Sequence, residues 1–392
     1  MKLVYVTSRY PYGPGEAFLG PEIRAHLDAG AELVVFPAYP HGAVTHADAR
    51  ELLVRTERPA RGLDARALGS QVLARPRRLS HAVATVAARQ GSRVRAKNAA
   101  VLTRLGRLVS VLERVRPDHV HAHWGGTSST LAMAAAEVSR VPWSLTLHRW
   151  DIYENNLLAT KIASARFTRV ISESAREDVR RIVPAAEPRV LHMGVEVPPA
   201  VARASRPDGP VRLVCVASLV PVKDHATLLR AFAESGVDAT LELVGGGPLE
   251  QELRDRATSL GIAESVVFSG LLPHEGLLER LRAGDWDAIV LASGSSGTEH
   301  EGIPVSLMEA MAAGVPAVAT ASGGTRELVT PDAGLLVPPG DIAALGSALQ
   351  ALVGDASLRA RLAAGARARV AEAFDVRRVA SELRALMAAD AP

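Results

Sequence analysis

Two glutamates flank the predicted start of a helix that could bind a phosphate. Glu301 lies in a glycine-containing loop after an apolar run, and Glu309 follows with seven residues between them. Pro304 is predicted to be the first residue of the helix, because the N–H that proline lacks would have no hydrogen-bond partner within the helix at that position. The free N–H groups after it, from about Val305 and Ser306, predict an anion site. The two carboxylates could then accept hydrogen bonds from a nucleotide sugar, Glu301 from a polyol and Glu309 from a diol such as a ribose.

A histidine and a glycine pair in the first half of the chain are further candidates for ligand contacts. His148 ends a predicted strand, at the edge of a parallel sheet where ligands bind; a purely structural hydrogen bond is the alternative. Gly13 and Gly15 predict a loop whose backbone can approach a phosphate or an acceptor closely. An ordinary tight turn is the alternative at that position.

Three other patterns resemble known binding motifs, but each lacks a feature that the corresponding site requires. The Asp-Trp-Asp run at 285–287 copies a metal-binding motif, but it leads into a strand at its amino end, away from the ligand-binding edge. His121 and His123 share one face of a predicted strand, and no third zinc ligand is evident. The glycine-rich stretches that begin at Gly13 and Gly245 lack the small sixth residue of a dinucleotide fingerprint.

Strands that alternate with helices from end to end must position these residues. Short branched apolar runs predict strands near 3–7, 33–36, 119–123, 144–148, 169–171 and 190–192, and again near 213–216, 240–244, 266–269, 288–292, 317–320 and 335–337. This alternation predicts right-handed crossovers and parallel sheets. The proline-rich stretch 197–210 predicts a linker. We therefore predict two doubly wound Rossmann-like α/β domains, 1–197 and 198–375, with a last helix at about 376–392 that packs on the first.

Positive charge is concentrated in one segment. The formal net charge of the chain is +3, but residues 55–116 carry 15 basic and three acidic side chains. Such a segment can attract an anionic membrane surface or an acidic partner; a helical region with an arginine-rich solvent face is the alternative. The segment contains no Phe, Tyr or Trp that could stack on bases, so we expect no nucleic-acid binding.

Length and composition indicate the class of protein and its compartment. The 392 residues, 48% of them apolar, suit two domains with a sizeable core. No run approaches the ~18 apolar residues of a membrane span, and the first residues predict a strand instead of a signal peptide. The single cysteine, Cys215, cannot form an internal disulfide and favours a reducing compartment. We therefore expect a cytoplasmic protein that can associate with the inner membrane face through 55–116.

Several further runs accompany the Glu301–Glu309 spacing: 310–316 (AMAAGVP), 323–329 (GGTRELV), 219–225 (LVPVKDH) and 244–249 (VGGGPL). The stretches 10–18 (YPYGPGEAF), 147–151 (LHRWD) and 194–196 (GVE) belong to the same pattern. With these motifs the chain resembles, over essentially its whole length, the family 4 retaining glycosyltransferases, also called group 1. The resemblance is strongest over 211–340, whereas 50–115 resembles nothing familiar.

The resemblance implies a fold and a set of donor contacts. The fold is GT-B, two Rossmann-like domains facing across a cleft, with the donor on the C-terminal domain and the acceptor on the N-terminal one. Lys223 would bind the donor diphosphate and stabilise its departure, Glu301 would hold sugar hydroxyls, and Glu309 the ribose. His148 would lie near the transferred sugar. Further donor contacts are expected at Gly15, Ser218, Gly246, Gly270, Leu271, Gly302, Ile303, Val305 and Ser306, with the nucleobase near Gly270 and Leu271.

Two features of this particular chain bear on the diphosphate site. The family usually has Gly-Arg-Leu where this chain has Ala-Ser-Leu at 217–219, so Ser218 offers one neutral hydrogen bond in place of an arginine. Arg149 and Arg326 are candidate replacements. Only four of the 45 basic residues are lysine. A lysine at position 223 therefore indicates a site that requires a compact ammonium.

The expected function is that of a retaining, metal-independent hexosyltransferase without a cofactor. It would move a hexose-type sugar from a nucleoside diphosphate, most often UDP in this family, to an acceptor hydroxyl. The acceptor could be a glycan, a lipid-linked saccharide or a small natural product. The alternatives are a nucleotide-sugar epimerase on the same fold and a non-catalytic nucleotide-sugar-binding protein.

Overall fold

A computed structural model describes residues 1–13, 16–44, 47–57, 69, 74–87, 91–200, 209–294 and 302–389 of the chain. They form two compact units: unit 1 is Met1–Gly194 with Arg377–Pro392, and unit 2 is Val195–Val376. Each unit contains one six-stranded sheet, and all strand pairs in both sheets are parallel. The predicted α/β class with two Rossmann-like domains is confirmed. Part of the predicted linker, 201–208, lies outside the described residues.

The sheet of unit 1 has the strand order β2-β1-β3-β4-β5-β6. Its strands are β1 (Lys2–Thr7), β2 (Glu32–Pro37), β3 (His119–His123), β4 (Trp143–Leu147), β5 (Phe167–Val170) and β6 (Arg189–Val190). Each lies within two residues of its predicted bounds at both ends. The sequence-adjacent strands β1 and β2 pair, and β3 then joins the opposite edge of β1.

Nine helices and one 3₁₀ turn of unit 1 precede the second sheet in the described part of the chain. They are α1 (Leu19–Asp28), α2 (Ala47–Glu51), the 3₁₀ turn Leu52–Arg55, α3 (Pro76–Ala87), α4 (Ser92–Leu102), α5 (Leu105–Val115), α6 (Thr127–Ser139), α7 (Trp150–Glu154), α8 (Leu158–Ser164) and α9 (Glu173–Ile182).

Both faces of this sheet are covered by apolar side chains. Because side chains alternate along a strand, Val4 and Val6 of β1 belong to a core that includes α3, α5 and α6. Leu3 and Tyr5 belong to the core on the opposite face, which α1 and the last helix cover. That last helix contributes three side chains to the second core: Val379, Leu383 and Met387.

The sheet of unit 2 has the strand order β12-β11-β10-β7-β8-β9. Its strands are β7 (Val211–Val216), β8 (Ala239–Val244), β9 (Val266–Gly270), β10 (Ala288–Leu291), β11 (Ala317–Thr320) and β12 (Gly334–Val337). These too lie within two residues of the predicted bounds. β8 and β9 follow on one side of β7, and β10, which pairs with the other side of β7, is followed outward by β11 and β12. The order in which the chain adds strands therefore changes sides between β7 and β10. Ligands bind open α/β sheets at such a switch point, beyond the carboxyl ends of the strands.

The helices that follow β7 complete the described chain. Those of unit 2 are α10 (His225–Ser235), α11 (Glu250–Ser259), α12 (His274–Ala283), α13 (Val305–Ala312), α14 (Thr325–Leu328), α15 (Ile342–Gly354) and α16 (Ala356–Ala373), with 3₁₀ turns at Pro221–Lys223 and Ala263–Ser265. The last helix, α17 (Val376–Ala388), is the one that packs on the sheet of unit 1. Within the described ranges, no helix combines the length and the hydropathy of a membrane span.

Candidate active site

The loops after β7 and β10 meet at the switch point of unit 2. The first contains the 3₁₀ turn Pro221–Lys223, and the second ends at the start of α13. Gly294 N, in the loop after β10, donates to Val222 O at 2.9 Å. Ser306 Oγ, in the first turn of α13, donates to Val216 O at the end of β7 at 2.9 Å. The structure therefore brings Lys223, Val305 and Ser306 to the same edge of the sheet.

The backbone around Lys223 is fixed by hydrogen bonds both before and after this residue. Asp224 takes the left-handed conformation with φ 45°, and its carboxylate accepts a hydrogen bond from Thr227 N at 3.2 Å. Asp224 thereby caps the N-terminus of α10. The turn before it closes through Lys223 N, which donates to Val220 O at 3.1 Å. The half-buried Lys223 side chain therefore extends from a backbone that is fixed on both sides.

Helix α13 begins one residue later than predicted. Pro304 is the N-cap, with an extended ψ of 121°, and Val305 is the first helical residue. Proline fits either position because its φ near −65° is compatible with both. The first N–H groups of α13 have no partner within the helix. Of the two predicted contacts before the proline, Gly302 is half-buried and Ile303 is buried.

Glu309 has a partner that sequence reasoning missed. Its side chain is 10% exposed, and Oε1 lies 2.7 Å from Nε2 of His274. His274 begins α12, in the connection that follows β9 at the same edge of the sheet. The Nε2–H tautomer donates to Glu309 and fixes the direction of the carboxylate. The sequence does show that His274 follows a predicted strand, which is a signal for the ligand-binding edge of the sheet. Its pairing with Glu309, however, depends on the strand order.

The glycine-rich turn after β8 packs its backbone directly on the loop after β7. A Cβ at Gly245 would lie 1.9 Å from Ala217 O, and one at Gly247 would lie 2.4 Å from Leu219 O, so both positions require glycine. Gly246 O accepts from Leu219 N at 3.0 Å. A Cβ at Gly246 would touch the Leu271 side chain at 3.3 Å.

The structure thereby gathers four predicted donor contacts along this edge: Ser218, Gly246, Gly270 and Leu271. Gly270 O accepts from Gly245 N at 2.8 Å, which joins the turns after β8 and β9. Ser218 is exposed, and the Leu271 side chain is 81% exposed. Such an exposed leucine beside backbone amides can cover one face of a flat ring.

Two predicted residues, Glu301 and Gly15, lie outside the described residues. The candidate replacements for the family arginine are in different units: Arg326 is exposed on α14 of unit 2, and Arg149 is half-buried before α7 of unit 1. The contact of either arginine with a diphosphate stays a prediction.

Two titratable side chains beneath the Lys223 loop remain neutral at pH 7. Burial raises the pKa of the Cys215 thiol to about 12, despite the opposing effect of Lys223. Burial and the nearby Lys223 charge lower the pKa of His225 to about 4. Cys215 is therefore no thiolate nucleophile.

The Asp-Trp-Asp run at 285–287 is structural. Asp287 accepts hydrogen bonds from Arg212, at 2.8 Å from the backbone N and 3.2 Å from Nη2. Asp285 accepts from Arg280 Nε at 2.7 Å. Both carboxylates are thus paired with arginine at the amino end of β10.

A buried polar network in unit 1 is centred on Glu22 and includes His123. The Glu22 carboxylate lies 2.7 Å from Arg169 Nη1 and 3.0 Å from His123 Nε2, and it accepts from the Tyr5 hydroxyl at 3.1 Å. Burial alone would raise the pKa of Glu22, but Arg169 and His123 hold it well below its ordinary value. This carboxylate is therefore charged while it is fully buried.

Glu22 supplies the third potential metal ligand that the sequence did not reveal. Its carboxylate, His121 and His123 place ligand atoms within 4.8 Å of one another. However, both ring nitrogens of His121 have hydroxyl partners, Ser144 Oγ at 2.7 Å and Thr146 Oγ1 at 2.9 Å. The Arg169 guanidinium on Glu22 opposes a second cation. The chemistry of the cluster fits a hydrogen-bonded core better than a metal site.

His148 lies beneath an aromatic surface. The residue is 7% exposed, and its ring stacks on Trp124 at a centroid distance of 4.1 Å. Burial, with His123 nearby, holds the pKa of His148 well below its ordinary value, so the imidazole is neutral at pH 7. Its backbone N–H donates to the Asp151 carboxylate at 3.1 Å. Its contact with a transferred sugar stays a prediction.

Two family models match the chain, one for each half. The model for glycosyl transferases group 1 matches residues 200–369. The model for glycosyltransferase family 4 matches residues 38–197.

Curated relatives are similar over part of their length. The chain is 35% identical over 161 residues to a GDP-mannose-dependent monoacylated α-(1-6)-phosphatidylinositol monomannoside mannosyltransferase of Corynebacterium glutamicum, covering 40% of this chain and 42% of that protein. It is 32% identical over 289 residues to the 2-deoxystreptamine N-acetyl-D-glucosaminyltransferase of Streptomyces fradiae, covering 64% of this chain and 66% of that protein. The match thus spans about two fifths of the first relative and slightly less than two thirds of the second.

Solved structures match the chain from end to end. HepE of Anabaena in complex with UDP matches with a TM-score of 0.71 at 19% identity, over 98% of this chain and 99% of that one. The apo lipopolysaccharide outer core galactosyltransferase WaaB matches with a TM-score of 0.71 at 16% identity, over 99% of both chains. At these identities the likeness shows the fold alone, and it confirms the predicted GT-B class.

Proposed function

Because the chain belongs to the group 1, family 4 glycosyltransferases, we propose that it moves a hexose-type sugar from a nucleoside diphosphate to an acceptor hydroxyl with retention of anomeric configuration. The observation that carries the proposal is the edge of unit 2 at the β7/β10 switch point. There Ser306 of α13 is bonded to Val216 at the end of β7, and Gly294 of the loop after β10 is bonded to Val222 in the turn that contains Lys223. An ammonium and free helix N–H groups at one point suit a diphosphate.

The proposed reaction needs positive charge where the leaving group develops negative charge. The bond between the anomeric carbon and the diphosphate oxygen breaks, and its electron pair goes to the diphosphate. The acceptor oxygen bonds to the same face of the carbon, and its proton goes to the departing phosphate. Lys223 and the α13 N-terminus would stabilise that phosphate, so we propose that no metal or cofactor is required. The front-face course comes from the family resemblance.

The donor is proposed to be a UDP-sugar, and the exposed side chain of Leu271 supports a site for a flat base beside Gly270. One curated relative is named for GDP-mannose, so guanine is the competing base. A thermal-shift screen of UDP, GDP, ADP and their sugars tests the proposal. A ligand at 100 times its Kd stabilises the folded state by about 2.7 kcal/mol. A raised Tm with one nucleotide series is expected, and no shift with any of them would contradict the donor site.

The two glutamates are predicted to act at different steps. Glu301→Gln should lower turnover more than nucleotide binding, because its proposed partners are sugar hydroxyls. Glu309→Gln should weaken nucleotide and nucleotide sugar alike, since its proposed partner is the ribose; the loss of its His274 bond adds to this effect. Calorimetric titration of UDP and initial rates distinguish the two. Equal loss of UDP affinity in both variants would mean that these roles are wrong.

The structure pairs part of the basic segment with carboxylates. Arg75 lies 2.9 Å from Glu113, and Lys97 lies 2.5 Å from Glu154. Residues 58–68, 70–73 and 88–90 lie outside the described residues. In the part of the segment that the structure describes, five exposed arginines form no ion pair with another described residue: Arg55, Arg77, Arg93, Arg95 and Arg116.

We predict weak binding to anionic vesicles through this segment. Because the attraction is electrostatic, it should almost vanish at several hundred millimolar salt, where the Debye length is a few ångströms. Vesicle co-sedimentation measures it, and replacement of Arg77, Arg93 and Arg95 by Gln should reduce it. Equal binding to neutral and anionic vesicles would contradict the electrostatic explanation.

A further inference from the structure

A cavity of about 580 Å³ lies in unit 1. Its walls include the loop after β1, the loop after β3 with the first turn of α6, and helix α7. The order β2-β1-β3 places the switch point of this sheet between β1 and β3. Like the donor edge of unit 2, the cavity therefore occupies the position where an open α/β sheet binds ligands.

The backbone of Trp124 in the cavity wall adopts a conformation that bulky residues avoid. Its φ is 71°, in the left-handed region. Three contacts hold it there: its N–H donates to Thr146 O at 3.0 Å, its Nε1 donates to Glu16 Oε1 at 2.6 Å, and its ring stacks on His148. Such conformations persist where surrounding structure over-determines them, and they cluster at ligand sites. The indole is thus fixed in the wall.

A second indole lines the cavity with an open face. Trp150, the first residue of α7, is 55% exposed, and its ring centroid lies 5.7 Å from that of Trp124 at an angle of 34°. A tryptophan with this exposure leaves a large apolar face in water. Two tilted indoles form a wall that suits the C–H face of a saturated ring.

The charged groups around the indoles balance one another. Lys97 Nζ lies 2.5 Å from Glu154 Oε1. The Glu16 carboxylate accepts from Arg9 N at 2.6 Å and Tyr10 N at 2.7 Å, and the Arg9 side chain lines the same cavity. Two cations and two carboxylates give a formal sum of zero. A neutral ligand with many hydroxyls, which can both donate and accept hydrogen bonds, fits this lining better than a charged one.

We propose that this cavity binds a polyhydroxylated six-membered ring, a pyranose or a cyclitol, stacked on Trp150 and Trp124. The family resemblance already implies an acceptor on this domain, so the role of the ring as an acceptor rests on the proposed function, whereas the ring chemistry rests on the cavity itself. The ring hydroxyls would exchange hydrogen bonds with Lys97 and Glu154.

Saturation-transfer NMR on the full-length protein tests the ring chemistry without any donor. The probes are methyl α-D-mannopyranoside and myo-inositol, with D-mannitol as an acyclic polyol that has no ring face. We expect binding of at least one ring probe and a loss of about tenfold or more in affinity for Trp150→Ala. Trp150→Phe should retain part of it. Val83→Ala removes exposed apolar surface of unit 1 outside this cavity and should change nothing.

Failure of this inference is distinguishable from failure of the proposed function. UDP titration of the Trp150→Ala variant measures the donor site separately, and UDP affinity should be unchanged. Ring binding that survives in Trp150→Ala, or mannitol binding as tight as that of the ring probes, would overturn the inference while leaving the donor site intact. Trp150-dependent ring binding without any nucleotide binding would support the ring subsite and contradict the proposed function.

Discussion

Replacing Lys223 by alanine should lower kcat by roughly 10²-fold or more, and Lys223→Arg should recover only a minor part of that loss. A charge-assisted hydrogen bond contributes roughly 1.5–3 kcal/mol. The contact should strengthen as the diphosphate departs, so its loss affects the chemical step as well as donor binding. A guanidinium is a broad planar fork, and a turn closed by Val220 and Asp224 leaves it little freedom to find the position of a compact ammonium.

Steady-state rates and circular dichroism of the purified variants check this expectation. Lys2→Ala is the matched control, because that exposed lysine lies at the start of β1, paired with Glu32 at 3.6 Å. It should leave kcat unchanged, and all three variants should keep the wild-type spectrum. If Lys223→Arg transfers sugar at the wild-type rate, Lys223 is not the diphosphate ligand.

The second large effect concerns stability. Glu22→Gln should destabilise the fold by about 3–5 kcal/mol, because breaking a buried ion pair leaves the Arg169 charge uncompensated. Neither side chain has more than 1% of its surface exposed. Thermal unfolding of the full chain, followed by tryptophan fluorescence, measures the loss. Glu51→Gln is the control: Glu51 pairs with Arg24 at 3.5 Å on the surface, where a pair contributes about 0–1 kcal/mol.

The pH dependence of this loss follows from the low pKa of Glu22 in the folded state. Above about pH 4.5, the ordinary pKa of a glutamate carboxyl, the stabilisation from the carboxylate is fully present. It is lost as the pH falls below that value towards the lowered pKa of the folded state. The difference between wild type and Glu22→Gln should therefore shrink on acidification. A difference independent of pH, or a cost as small as that of Glu51→Gln, would contradict the buried ion pair.

The sequence predicts the elements well because their signal is local. The apolar runs of β1 and β7 predict strands independently of the position of these strands in the sheet. The glycines at 245 and 247 predict a turn independently of the residues that the turn contacts. The start of α13 is off by one residue because proline is tolerated both at the N-cap and after it.

Partnerships between distant residues were not predictable in the same way. His123 and Glu22 are 101 positions apart and meet because β3 lies beside β1, over which α1 packs. Likewise, the contact between His274 and Glu309 requires β9 and β10 to lie in one sheet. The exposed face of Trp150 also emerges only once its neighbours are placed. Strand order is a property of the whole fold, and no local pattern encodes it.

The proposed sugar transfer is tested most directly by measuring nucleotide release with and without an acceptor. Purified protein is incubated with the nucleotide sugar that raises its Tm, and free nucleoside diphosphate is measured as candidate acceptors are added. A transferase predicts release that depends on an acceptor and is lost in Lys223→Ala. Release with an isomerised sugar and no acceptor would indicate an epimerase. Binding without release under any condition would indicate a nucleotide-sugar-binding protein, and either of these two results would contradict the proposed function.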